Sequence, residues 1–181
     1  MRVVFVGVGA LGSYFGGALA AAGHDVTLVI RNEKHRNAIL QNGLFMRLDS
    51  GEKVVNPRVI APADLTSDPR ANIIVVFCKT GATRAVLVDS ESIIGPETQL
   101  VSVQNGLGNA DVLAQFVPMS RVIYGTTMAP GVLVAPGIVE SRGPHLTQIR
   151  AATNDHRSHD HASWLAKALD DAGLPTIVNE K

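Results

Sequence analysis

Apolar residues arrive in short unbroken runs separated by stretches with helical spacing. Val3-Val4-Phe5-Val6 is the first run, β-branched and without alternation, which suits a central parallel strand buried on both faces. A turn of glycines follows. From Ala10 to Ala22 the residues become small and helix-tolerant, closing at Gly23, a residue suited to a left-handed C-cap. Val26-Thr27-Leu28-Val29-Ile30 predicts a second strand, and Asn32 to Gln41 a polar helix capped by Asn32 and ended by Asn42-Gly43. The opening unit is strand, helix, strand, helix.

Leu44 to Ile60 holds Asp49-Ser50-Gly51 between short mixed runs, which predicts a hairpin or irregular strands decorating the sheet. Asn72 to Phe77 is again a buried-strand run, followed by a helical segment near Ala82 to Ser92. Gln99 to Val103 predicts the next strand, Asp111 to Phe116 a helix, and Arg121 to Thr127 another strand. After Pro130 the pattern changes: Val132-Leu133-Val134 and Ile138-Val139-Glu140 flank Ala135-Pro136-Gly137, the signature of an antiparallel hairpin that makes the sheet mixed. Trp164, Leu165, Leu169 and Ala172 have helical spacing, stopped by Gly173 and Pro175, and Thr176-Ile177-Val178 predicts a last short strand. Strands alternating with helices in this way predict an α/β fold of Rossmann type: a doubly wound, mostly parallel sheet with an antiparallel hairpin near the C-terminal part.

The size and charge are those of a globular domain. The 181 residues are 46% hydrophobic and 18% charged, with 16 basic and 16 acidic side chains, and no repeat, low-complexity segment or linker interrupts them. One domain over residues 1–181 is the expectation. Zero net charge without a long basic run gives no electrostatic footprint for nucleic acid. No apolar stretch approaches the roughly 20 residues a membrane helix needs. Met1-Arg2 runs straight into the first strand without a signal-peptide pattern, and Cys78 is the single cysteine, so a cytoplasmic protein is expected.

Gly7-Val8-Gly9-Ala10-Leu11-Gly12 follows the first strand and opens the first helix, the context in which G-x-G-x-x-G carries a specific meaning. Gly7 permits the tight turn, Gly9 lets the main chain approach a pyrophosphate, and Gly12 lets helix and strand pack closely. Free N–H groups and partial positive charge at the helix start then bind the anion. The bland alternative is a glycine-rich turn without a ligand. In the NAD form of this fold an acidic residue about 20 positions further on accepts hydrogen bonds from the ribose. Here Arg31 holds that place, a guanidinium suited to a 2′-phosphate, which predicts NADP(H) over NAD(H). The alternative for Arg31 is a solvated loop residue.

Further segments, together with the glycine turn and Arg31, resemble the ketopantoate reductase family, the NADPH-dependent 2-dehydropantoate 2-reductases. Gly7 to Gly12 has the family's G-x-G-A-[LIM]-G form. Phe77-Cys78-Lys79-Thr80 resembles its V-K-[AT], Gln104-Asn105-Gly106 its Q-N-G, Gly125-Thr126-Thr127 its G-x-T-T, and Val134-Ala135-Pro136-Gly137 its V-x-P-G. The resemblance implies transfer of hydride from the nicotinamide of NADPH to the ketone of a small 2-oxo acid, ketopantoate in the family, as part of pantothenate biosynthesis. It implies that Lys79 is a cation near the cofactor's ribose or phosphates, and that Asn105 offers donor and acceptor to the nicotinamide or the substrate. A solvated lysine and a plain Asn-Gly turn are the alternatives.

The departures from the family are as informative. Where the family has His-Gly-Ala after G-x-T-T, this chain reads Met128-Ala129-Pro130-Gly131, and Gly131 stands where the family's Ala makes a backbone contact with the cofactor. Ala82 replaces a glutamine common three residues after the family's lysine. The family's general-acid lysine lies in a W-x-K-L segment opening an all-α second domain. Here Trp164 is followed by Leu165-Ala166-Lys167, and that role is not carried onto Lys167. The chain therefore resembles the cofactor half of the enzyme without its general acid. A surface made for a second domain would be apolar, which leaves room for a homo-oligomer. Two readings stand beside the reductase: a non-catalytic NADP(H)-binding or sensing module, and a reductase of another small 2-oxo acid.

Two further signals are set aside. Asp155 to His161 packs three histidines and two carboxylates into seven residues, and His156 with His159 has the spacing of zinc ligands on a helix face; a solvated helix start is the favoured reading, and no metal is expected. Cys78 reads as a small inert thiol at the end of a buried run.

Overall fold

Val3, Val4, Phe5 and Val6 are wholly buried, so the first strand, β1 (Arg2–Val6), lies at the centre of a sheet covered on both faces. The computed structural model describes residues 1–179. After β1 come α1 (Ala10–Ala21), β2 (Asp25–Val29), α2 (Glu33–Asn42), β3 (Leu44–Leu48), β4 (Gly51–Val55) and β5 (Arg58–Ile60). The middle of the chain holds β6 (Ile73–Val76), α3 (Thr83–Val88), β7 (Gln99–Ser102), α4 (Asn109–Leu113) and β8 (Val122–Thr127). It closes with β9 (Val132–Ala135), β10 (Ile138–Ser141), β11 (Thr147–Ala151), α5 (His156–Asp171) and β12 (Thr176–Val178). The expected Rossmann-type α/β class is the observed one. The main sheet runs β12-β11-β8-β7-β6-β1-β2-β5, parallel from β5 through β8, with β11 antiparallel to β8 and parallel to β12.

Alternate residues of β1 feed different cores. Val3 and Phe5 join α1, α5 and the aliphatic residues between them, whereas Val4 and Val6 face Leu65, Leu87 and Leu113 on the other side. The predicted caps form as expected: the Asn32 side chain accepts from the His35 N–H at 3.0 Å, and Gly23 and Gly43 take positive φ.

The expectation for residues 44–60 needs correction. Within 44–60 β5 does add to the edge of the main sheet beside β2, and β3 and β4 do form a hairpin, but the hairpin strands do not decorate the main sheet. They build a second sheet, in the order β4-β3-β10-β9, whose centre is a parallel pairing of β3 with β10. The predicted hairpin at 132–140 is present as β9 and β10 and lies in this second sheet, so the main sheet becomes mixed through β11 instead, a strand the sequence pattern did not suggest. Burial explains the second sheet: Leu44, Met46 and Val139 are wholly buried and pack with α1 residues in the same core.

His35 fastens this second sheet to the Rossmann core. Its Nδ1 accepts the Gly137 N–H at 2.9 Å, which leaves the proton on Nε2 to face Ser13 Oγ at 2.9 Å on α1. The ring is 1% exposed, and burial holds its pKa below the ordinary histidine value. The unfolded chain therefore takes up this proton first as pH falls, so stability present above about pH 6.5 is lost on acidification. Urea midpoints measured from about pH 7.5 to 5 are expected to fall more steeply for the parent than for His35→Gln. Parallel curves would show that this imidazole is not a source of acid sensitivity.

Candidate functional site

The strand order reverses between β1 and β6: from β1 the chain proceeds outward through β2, and it then returns to the other flank of β1 as β6. Ligands in open α/β sheets lie beyond the carboxyl ends of strands at such a point. A cavity of about 500 Å³ opens there, lined by Gly7, Val8 and Gly9 after β1, Arg31 and Asn32 after β2, and Cys78 and Lys79 after β6, with Val86 and Asp89 from α3 and its end closing the far wall.

The glycines have distinct physical roles. Gly7 has φ +70°, and a Cβ there would lie 2.7 Å from the Cys78 backbone nitrogen, so the turn demands both a left-handed residue and one without a side chain. At Gly12 a Cβ would sit 3.3 to 3.4 Å from Val8 and Phe77, the close helix approach expected of it. Gly9 is different: nothing lies within 4 Å of its added Cβ, and the residue lines the cavity. Its lack of a side chain is unexplained by protein packing and leaves the main chain open to an approaching group. Gly9 is also the N-cap of α1, without a side-chain cap and without an acidic residue in the first turn. Neither the cap nor the first turn of this 12-residue helix thus supplies an anion to its orphan N–H groups and positive end.

Arg31 and Lys79 are exposed cations on the cavity lining, and Ala10 and Leu11 follow Gly9 at the helix start. Arg31 Nη2 lies 3.1 Å from Asp89 Oδ2. Asn105 is exposed, is not part of the cavity lining, and sits next to it through Thr80: the Thr80 hydroxyl donates to the Asn105 carbonyl at 2.9 Å. Gly131 also lies off the lining. A Cβ there would fall 2.8 Å from Leu11 Cδ2, so Gly131 packs against the first turn of α1. Lys167 projects from α5 into solvent and donates to Asp171 at 2.7 Å, an ion pair that raises its pKa.

Sequence reasoning missed the scaffold behind these residues. Gln104, 9% exposed, donates through its side-chain amide to the Cys78 carbonyl and accepts from Ser102 Oγ at 2.9 Å, tying the end of β7 to the loop after β6. The Asn109 amide faces the carbonyls of Gln104, Asn105 and Gly106 at 3.2 to 3.4 Å. The Q-N-G segment was visible in the sequence, but only the pairing of β6 with β7 reveals that its glutamine is a strut. Burial pushes the Cys78 thiol pKa up, consistent with an inert sulfur. The histidine-rich run opens α5 with Asp155 as N-cap, its side chain accepting from the Ser158 N–H at 3.2 Å. Among the described residues no three metal-ligating side chains come together, and no helix is long and apolar enough to cross a membrane.

Residues 3–154 match the family described as ketopantoate reductase PanE/ApbA. The chain belongs to that family. A curated 2-dehydropantoate 2-reductase of Streptococcus pyogenes is 32% identical over 180 residues, covering 99% of this chain and 57% of the relative. The crystal structure of 2-dehydropantoate 2-reductase from Geobacter metallireducens superposes with a TM-score of 0.89 at 25% identity, over 99% of this chain and 58% of that one. A ternary structure of D-mandelate dehydrogenase with NADH and anilino(oxo)acetate superposes with a TM-score of 0.91 at 26% identity, over 99% of this chain and 57% of that one. This ketopantoate reductase family chain thus spans a little over half the length of the relatives it matches.

The contrast between Gly7 and Gly9 is measurable without any ligand. Gly7→Ala is expected to lower unfolding stability by at least about 2 kcal/mol, from left-handed strain and the collision with Cys78. Gly9→Ala meets no atom and is expected to cost less, about 1 kcal/mol, from the poorer N-cap that alanine makes in this backbone conformation. Chemical denaturation of the two variants checks both, and equal losses would contradict the assigned geometry.

Proposed function

We propose that this chain is the NADP(H)-binding part of a 2-dehydropantoate 2-reductase, and that residues 1–181 act as one dinucleotide-binding domain. The observation that carries the reading is an uncapped α1 N-terminus facing a 500 Å³ cavity at the strand-order reversal, with the guanidinium of Arg31 on the same lining. The residues fit the group: Gly9 leaves room for a pyrophosphate where a Cβ would otherwise project, and the helix end supplies the N–H groups that an anion needs. Gly7, Val8, Gly9, Ala10, Leu11 and Gly12 form the pyrophosphate turn, Arg31 reads the 2′-phosphate, and Lys79 adds positive charge along the ribose and phosphates. Asn105 and Gly131 stand nearer the nicotinamide end.

When bound, the nicotinamide supplies the hydride for the ketone of a small 2-oxo acid. The chain's own residues bind and orient, and they keep the anionic end of the cofactor at the helix. No described residue fits the general acid. Lys167, the one lysine close to the tryptophan, is held by Asp171 and is not on the cavity lining. The reaction on this reading draws its proton donor from an all-α domain like the one that completes the family's enzymes, and the chain alone binds NADPH but turns over poorly. Leu107, Met128 and Val132 support a covering partner: they follow the carboxyl ends of β7 and β8 and are 100%, 78% and 59% exposed. A homo-oligomer would cover the same residues. Cytoplasmic location accords with the proposed metabolic role.

A second reading keeps the fold and changes the substrate. The likeness to D-mandelate dehydrogenase, whose structure holds NADH and an oxoacetate, supports a reductase of another small 2-oxo acid. The non-catalytic NADP(H) module has no comparable observation in its favour.

Titration calorimetry tests the cofactor assignment. The parent is expected to bind NADPH at least about tenfold more tightly than NADH, and Arg31→Ala to remove most of that difference while changing NADH affinity little. Equal loss for both dinucleotides would deprive Arg31 of a phosphate-reading role.

A further inference from the structure

Arg31 does not wait free on the cavity wall. Its Nη2 lies 3.1 Å from Oδ2 of Asp89, the C-cap of α3, and both residues line the cavity. Asp89 makes no other side-chain hydrogen bond among the described residues, and its side chain is 46% exposed, so nothing in the packing of α3 requires a carboxylate there. The charged groups on this lining are Arg31, Lys79 and Asp89. Asp89 is thus the single anion in a cavity otherwise suited to anions.

The consequence follows from charge placement. A phosphate gripped by the Arg31 guanidinium sits within hydrogen-bond distance of it, and the carboxylate already on that guanidinium then lies a few ångströms from a group carrying nearly two negative charges. Binding must displace Asp89 from Nη2 or tolerate the repulsion. A ribose 2′-hydroxyl brings no charge and meets neither cost. On the reading that Arg31 faces the 2′-phosphate, we propose that Asp89 is a cofactor-specificity residue. It competes for Arg31 and narrows the preference for 2′-phosphorylated over unphosphorylated adenine nucleotides. The pair is a built-in counterweight: Arg31 favours the phosphate and Asp89 limits by how much.

Exposure sets the size of the effect. A solvent-exposed ion pair contributes so little that its removal corresponds to about a two- to fivefold change in affinity at low ionic strength, shrinking as salt is added. The probes are 2′,5′-ADP and 5′-AMP, which differ only in the phosphate at issue and need no catalysis. Dissociation constants are measured by calorimetry for the parent, Asp89→Asn, Asp89→Ser and Arg31→Ala, at about 20 mM and 500 mM salt. Both Asp89 variants are expected to bind 2′,5′-ADP about two- to fivefold more tightly than the parent at low salt, and 5′-AMP with unchanged affinity. The gain is expected to fade at high salt.

Unchanged or weaker 2′,5′-ADP binding by the Asp89 variants overturns the inference, as does an equal gain for both nucleotides, which would mean a general field rather than a reading of the phosphate. A parent that prefers 2′,5′-ADP, loses the preference in Arg31→Ala and ignores Asp89→Asn would refute the role of Asp89 while leaving the cofactor reading intact. A parent that binds neither nucleotide refutes both.

Discussion

The approach of the Gly7 turn to the backbone of Cys78 is the constraint on which the site depends. The carboxyl ends of β1 and β6 converge so far that a methyl group at residue 7 would meet the Cys78 main chain. The chain must therefore leave β1 in a left-handed step, and that step aims α1 back along the sheet with its amino end over the strand-order reversal. A helix in this position with an ordinary Ser or Asp cap would satisfy its own N–H groups. With Gly9 as N-cap and no acidic residue in the first turn, it does not. The same few residues thus fix the backbone and leave the electrostatic demand of the helix end open.

That arrangement needs support on both sides, because loops alone would not hold the cavity walls. On one side Gln104 bridges the end of β7 to the Cys78 carbonyl, and the Asn109 amide gathers three successive carbonyls of the loop that carries Asn105. The Gln104 amide and the Asn109 Nδ2 are buried donors with partners, so their directionality specifies loop shape where apolar packing would only specify proximity. On the other side the second sheet presses Leu44 and Met46 against α1 at Gly17, where a side chain would collide with both. His35 then locks α2, α1 and the β9–β10 turn together.

Local physics was legible in the sequence. Asn32 could be read as a helix cap and Gly23 as a C-cap because the determinants lie within a few residues of one another, and the unalternating run Val3 to Val6 announced a strand covered on both faces. The second sheet was not legible, since the parallel pairing of β3 with β10 joins segments far apart in the chain, and alone the first hairpin reads as decoration and the second as part of the main sheet. Residues 147–151 hid a strand because Thr147 and Ile149 are its only fully buried members and Gln148 and Arg150 dilute the pattern. The glycine turn and Arg31 were identifiable as candidates because a motif carried them. Asp89 was not, since an aspartate at a helix end is ordinary until the fold brings it across the cavity mouth to Arg31.

A chain with 16 cationic and 16 anionic side chains has no net field to draw in an anionic ligand, so any preference for one has to be local. The cavity offers two kinds of positive potential of different range. The α1 terminus acts only within the first turn and is weakly screened where backbone and ligand touch. Lys79 and Arg31 are exposed, so their reach is cut to about a Debye length by salt. On the proposed reading, the helix end serves the part of a dinucleotide common to every form, and Arg31 the part that distinguishes one form from another. Selectivity placed on exposed charges can be retuned by single surface substitutions without disturbing the buried turn that fixes where the ligand lies. On the proposed cofactor reading, that separation would let such a scaffold change its dinucleotide preference without refolding.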